Sequence, residues 1–180
     1  MFLISIIGSM FSYKTTELIR RCNMYIRSGK RVLRIKPNMD NRYSIKSEII
    51  SHDGLSIECI MTDKLLDLNL NYNEYDMIAI DEGHLFPDTY NFIKTLSELN
   101  IIIMITGLTM TFKKDVFFDD MLKIVAMSNE INLLKGICNI CKNFDAIYSH
   151  KLNSSNQSII DVGSDDKYIP LCRDCFNKLN

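Results

Sequence analysis

Apolar residues come in short runs, separated by loops rich in Asn, Asp, Ser and Gly. Phe2-Leu3-Ile4-Ser5-Ile6-Ile7 is the first run, apolar on both alternating sets of positions, as in a strand buried on both faces. It breaks at Gly8. Thr16-Glu17-Leu18-Ile19-Arg20-Arg21 reads as the first turns of a helix, with Gly29 as its stop. Arg31-Val32-Leu33-Arg34-Ile35-Lys36 reads as a second strand, ended by Pro37. Strand, helix and strand form a βαβ unit, which predicts a parallel sheet. Further along, residues 57–61 read as a short strand. Residues 63–70 read as a short helix with Leu65, Leu66, Leu68 and Leu70 as core. Tyr75-Asp76-Met77-Ile78-Ala79-Ile80 is an apolar strand running into Asp81-Glu82. Residues 89–99 form a helix with Phe92, Leu96 and Leu99 along one face. Residues 101–106 make a fully buried strand, 121–127 a short helix or strand, and 132–137 a last strand.

The breaks between these elements carry the chemistry. Gly8-Ser9-Met10-Phe11-Ser12-Tyr13-Lys14-Thr15 joins strand to helix, the context of a phosphate-binding P-loop. Its backbone N–H groups and the helix N-terminus would cradle phosphate. Lys14 would reach the β- and γ-phosphates, and the Thr15 hydroxyl would sit on Mg²⁺. The pattern asks for glycine where Tyr13 stands, so that ring must swing outward or distort the loop. A strand-turn-helix with a chance Lys-Thr is the other reading of this octet. Asp81, at the end of its strand, is placed to hold Mg²⁺, and Glu82 beside it to act as general base. Asp40 and Arg42 lie just past the carboxyl end of the second strand, where open α/β sheets bind ligands. His52, in the turn Ser51-His52-Asp53-Gly54, reads as structural.

Composition narrows the class. A chain of 180 residues suits one domain, or one with a small appendage, and 47% hydrophobic content supports a proper core. A net charge of −1 argues against a broad grip on nucleic acid. No apolar run approaches the roughly 20 residues that span a bilayer, and the start lacks a basic leader region, so no membrane or secretory role is expected. A reducing compartment favours metal over disulfides. Cys138, Cys141, Cys172 and Cys175 form two C-x₂-C knuckles, able to complete a closed tetrahedral site for structural Zn²⁺. Cys22 and Cys59 are isolated and read as buried or unremarkable thiols. Residues 142–171 read as a long loop pinned at its base by the metal, of the kind that serves as a lid.

Taken together, these motifs resemble those of the type II thymidine kinases, the zinc-containing class of animal cytosol, many bacteria and poxviruses. The carrying residues are the P-loop octet, Asp40-Asn41-Arg42-Tyr43-Ser44, Ile80-Asp81-Glu82-Gly83-His84, Gly107-Leu108-Thr109-Met110-Thr111-Phe112, the four cysteines and Asp166-Lys167-Tyr168. The resemblance implies an α/β fold: a P-loop NTPase-like parallel sheet flanked by helices over residues 1–134, and a small zinc-ribbon domain with a lasso loop over 135–180. It implies ATP and thymidine as substrates, Mg²⁺ and structural Zn²⁺, a homotetramer, and a cytoplasmic location. Glu82 would take the proton of the thymidine 5′-hydroxyl, Arg42 would steady the phosphoryl group with Asp40 beside it, and Lys14, Thr15 and Asp81 would handle phosphates and Mg²⁺. Met10, Leu85, Leu108 and Phe112 would line the thymine pocket. Ser149, Tyr168 and the backbone around Asp161, Val162 and Gly163 would contact the nucleoside. The sequence departs from the family pattern at Tyr13, His84, Leu85, Thr109-Met110, Ser164 and His150-Lys151. The alternatives are a weak or inactive paralogue, motivated by Tyr13, and a zinc-ribbon nucleic-acid binder, disfavoured by charge.

Overall fold

The first apolar run forms β1 (Phe2–Gly8), and helix α1 (Lys14–Arg27) follows it directly. Next come β2 (Val32–Pro37), β3 (Glu48–Ile50), β4 (Ser56–Glu58), β5 (Ile60–Thr62) and β6 (Met77–Ile80). After these lie α2 (Thr89–Thr95), β7 (Ile102–Gly107), α3 (Asp119–Met127), β8 (Glu130–Leu134), β9 (Tyr148–Lys151), β10 (Tyr168–Leu171) and α4 (Arg173–Leu179). The computed structural model describes residues 1–40, 47–113, 118–152, 158, 163 and 165–179. Arg42, Asp161 and Val162 lie outside the described residues.

Six strands make one sheet in the order β5-β2-β6-β7-β1-β8, every described pairing parallel. Such a sheet is covered on both faces, which is why its strands show no polar alternation. On one face Leu3, Ile7, Ile35, Ile80 and Ile105 pack against Phe92 and Ile93 of α2 and Met121 and Ile124 of α3. On the other, Ile4, Ile6, Ala79 and Met104 pack against Leu18, Ile19 and Cys22 of α1. Each of these large side chains contributes about 1.5–3 kcal/mol by leaving water. Gly29 does end α1, at φ 81, the left-handed turn that glycine enters without steric cost. No described helix is long and apolar enough to cross a membrane.

Several elements differ from the pattern-based expectation. Residues 57–61 are not one strand: β4 pairs antiparallel with β3 as a small hairpin, and the chain re-enters the main sheet as β5 after Cys59. Residues 63–70 hold only a 3₁₀ turn, Leu65–Asp67. The buried Asp88 carboxylate accepts the Leu65 and Leu66 N–H groups at 3.1 and 2.9 Å, capping the N-terminal end of that turn. Helix α2 stops at Thr95, although Leu96 beyond it still joins the core. The long loop has an ordered stem, since β9 and β10 pair antiparallel, Tyr168 opposite Lys151 and Leu171 opposite Tyr148. That hairpin shares a satellite core with the cysteines, where Tyr148 stacks on Phe176 at 4.4 Å.

Candidate active site and metal centre

Strand register assembles the site. Ile7 pairs with Gly107 and Ile80 with Ile105, so the carboxyl ends of β1, β6 and β7 share one sheet edge. There the chain turns from β1 into α1. A Cβ on Gly8 would run into the Leu134 carbonyl oxygen and Ser12 Oγ, so only glycine fits. Ser12 Oγ donates to Ser9 O at 2.8 Å, and the buried Lys14 Nζ donates to the same oxygen at 2.6 Å. Phe11 and Tyr13 both sit in the left-handed region, at φ 59 and 62. Each such non-glycine residue costs on the order of 1–2 kcal/mol. Tyr13 therefore sits in the backbone region that glycine favours, and it is 55% exposed.

At the end of β6, Asp81 Oδ1 accepts the Thr106 hydroxyl at 2.5 Å and the Thr15 hydroxyl at 3.2 Å. Thr106 Oγ1 in turn accepts the Glu82 N–H at 2.9 Å. One hydroxyl from β7 thus orients both acids. Glu82 is itself left-handed at φ 50, and Asp81 and Glu82 are both buried. His84 Nδ1 accepts the Leu108 N–H at 3.3 Å and lies 3.5 Å from Glu82 Oε2.

The C-terminal hairpin closes over this edge. Met10 N–H donates to Ser149 Oγ at 3.0 Å, and Ser9 Oγ donates to Ala146 O at 3.1 Å. Between hairpin and P-loop lies a cleft of about 300 Å³, lined by Met10, Phe11, Ser12, Tyr13, Lys14, Thr15, Glu82 and Tyr168 among others. Phe112 meets the Tyr168 ring at 6.4 Å, with Lys151 Nζ 4.8 Å from the Phe112 centroid. Leu85 and Leu108 are half-buried and do not line this cleft, and the Ser149 hydroxyl faces the P-loop backbone. Asp40 is buried three residues past β2, its N–H bonded to Pro37 O at 3.1 Å. Gly163 lies close against the Lys167 side chain. Sequence reasoning missed Thr106 and the Ser9 and Ser149 tethers. The one available signal was a Thr closing an otherwise apolar strand.

The four knuckle thiols converge. Their sulfurs lie within 4.8 Å of one another, and Cys141 Sγ is 3.7 Å from Cys172 Sγ. A tetrahedron of Zn–S bonds near 2.3 Å has edges of about 3.8 Å, so the set fits Zn²⁺. Burial opposes ionisation of Cys138, but N–H groups of Cys172, Cys141 and Ile140 bring it down to about 6. Burial and the neighbouring sulfurs push Cys175 up to about 12, so a full thiolate set calls for a cation. Cys22 and Cys59 are raised by burial to about 12 and about 11, as inert thiols are.

Comparison with known proteins agrees with this chemistry. The family model described as thymidine kinase matches residues 1–176. A thymidine kinase of Pseudothermotoga lettingae is 35% identical over 176 residues, covering 97% of this chain and 94% of that protein. One from Choristoneura fumiferana entomopoxvirus is 37% identical over 180 residues, covering 97% and 96%. Thymidine kinase 1 of Dictyostelium discoideum is 35% identical over 175 residues, covering 96% of this chain and 76% of its own.

Proposed function

The chain belongs to the thymidine kinase family, and from that membership we propose that it moves the γ-phosphoryl group of ATP to the 5′-hydroxyl of thymidine, yielding dTMP. The observation that carries the reading is the convergence of Lys14, Thr15 and Glu82 on one cleft, with Asp81 bonded to Thr15. In our reading Glu82 accepts the hydroxyl proton as the 5′-oxygen bonds to the γ-phosphorus and the bond from that phosphorus to the β,γ-bridging oxygen breaks, releasing ADP, while Lys14 neutralises charge on the β- and γ-phosphates. Loop N–H groups from Gly8 to Thr15 hold the remaining phosphate oxygens. Thr15 and Asp81 offer the oxygen donors that Mg²⁺ takes, and the ion, when bound, would supply positive charge that offsets the charge on the phosphates. Arg42 would steady the transferred group, with Asp40 at its side. Met10, Leu85, Leu108, Phe112 and Tyr168 would wall the thymine pocket. Ser149 and the backbone from Asp161 through Val162 to Gly163 would close it. Catalysis then rests on position and charge rather than a covalent intermediate.

We assign the zinc a structural role, because four sulfurs leave no open position. The chain divides after Leu134 into the nucleotide-binding part and the zinc-bearing lasso part, and the active form is a homotetramer in the cytoplasm. The test of the reading is turnover of thymidine with Mg-ATP by the parent chain against Glu82→Ala. The variant should lose about 10²–10⁴-fold in kcat, the usual contribution of a general base. Equal turnover by both would remove Glu82 from its role.

A further inference from the structure

Of the described lysines only Lys14 and Lys36 are buried, at 7% and 3% exposure. Lys14 has its place in the phosphate loop. Lys36 lies near the end of β2 and belongs to no motif. The sheet fixes where it stands. Ile35 pairs with Ile80, and the Asp81 N–H donates to Ile35 O at 2.9 Å, so Lys36 and Asp81 are neighbours across the two strands. Ile35 and Ile80 face the core under α2 and α3, and alternation turns Lys36 and Asp81 to the α1 face. There Asp81 meets Thr15 of α1. Cys59 packs on the same face and senses both charges. Burial pushes its thiol up to about 11, Lys36 pulls against that rise, and Asp81 adds to it.

A lysine is almost never this buried without a partner. Among the described residues Lys36 has no hydrogen bond and no ion pair. Every described side-chain nitrogen that is fully sealed does have a partner, so the Lys36 ammonium keeps a path to solvent. The carboxylate nearest along the strands, Asp81, is bonded to Thr15 and Thr106. An ammonium so placed costs free energy until negative charge arrives beside it. We propose that Lys36 is a positioning residue for the phosphoryl donor, its unpaired charge standing beside Asp81 to meet the charge of the triphosphate. This deepens the kinase reading, on which it rests in taking ATP as the donor. Among the described residues neither Lys36 nor Asp81 is in the wall of the cleft, so Lys36 acts by its charge rather than by touching substrate. In a poorly hydrated interior a charge a few ångströms away keeps much of the force that water would screen.

The test is calorimetric titration of the full chain in Mg²⁺ with ATP, with inorganic tripolyphosphate and with thymidine, beside thermal melting of the ligand-free protein. Lys36→Met is expected to weaken ATP and tripolyphosphate alike by about tenfold and to leave thymidine, which is neutral, unchanged. The variant puts an apolar chain of similar length in place of a buried charge, so it should melt no lower than the parent. That combination separates the proposal from a merely structural role, in which stability falls and all three ligands weaken together. A Lys36→Met chain that fails to fold, or melts well below the parent, would overturn the proposal. So would unchanged binding of both phosphate ligands, or an equal loss for thymidine. Binding needs no turnover, so selective loss of the two phosphate ligands in a chain that does not phosphorylate thymidine would uphold Lys36 and reject the kinase reading.

Discussion

Thr106 Oγ1 donates to Asp81 and accepts from the Glu82 N–H, so both acids of the site are set by a residue outside every motif. Replacing it by Val keeps the shape, deprives a buried carboxylate of a donor, and strands a backbone N–H. The cost should be about 1–3 kcal/mol in urea unfolding, with a parallel loss of kcat, because a buried group left unpaired carries its full desolvation penalty. Thr106→Ser should recover most of both, and a fully stable Thr106→Val would contradict the role. Asp81 and Glu82 are legible because they stand where an apolar strand ends, and Lys14 and Thr15 because they open a helix after the glycine-led loop. The hydroxyl tethers are not. Met10 and Ser149 are 139 positions apart, and only the folded topology brings them together.

Helix α1 carries its own test at the scale of an element. Glu17 accepts from Arg20 at 2.6 Å and Arg21 at 2.6 Å, and Arg21 continues to Glu130 of β8 at 2.7 Å. The hydrogen bond from Arg20, and then that from Arg21, outweigh burial and hold the Glu17 carboxyl at about 2 against an ordinary 4.5. A lowered carboxylate stabilises the fold above its ordinary value, and that stability is lost as pH falls from 4.5 towards 2. Because Arg20 is 54% exposed, screening cuts the contribution to about 1 kcal/mol. Glu17→Gln should therefore melt lower than the parent at pH 6, with the gap closing as pH falls below 4.5. A gap as wide at pH 2 as at pH 6 would contradict the assignment. Periodicity located α1 and its glycine stop, yet it overextended α2 and turned a leucine cluster into a helix. In that cluster a carboxylate 22 residues away takes the N–H group of Leu66 and caps a single 3₁₀ turn, a contact no local pattern displays.

At the scale of the molecule, the βαβ opening announced the parallel sheet, whereas the strand order did not follow from the sequence. The zinc knuckles were legible from spacing alone, because two thiolates on each turn make half a tetrahedral site. Their consequence was not: the hairpin they anchor reaches back to Ser9 and Met10 of the P-loop. The four-cysteine cluster and the loop after β1 are thus joined through the β9–β10 stem. Atomic absorption should find one zinc per chain in the parent and a loss in Cys172→Ser. That variant should also lose thymidine turnover, although no cysteine lines the cleft. Full activity in a zinc-free chain would break the coupling. Ser149→Ala, a milder cut in the same link, should cost about 1 kcal/mol of stability and raise the KM for ATP a few-fold, as the loss of one hydrogen bond does.

The most direct test of the central claim is chromatographic detection of thymidine monophosphate after the chain is incubated with Mg-ATP and thymidine, beside Glu82→Ala. The parent should give product, and the variant should give it at a rate lower by about 10²-fold or more. No product from a folded, zinc-loaded parent would contradict it.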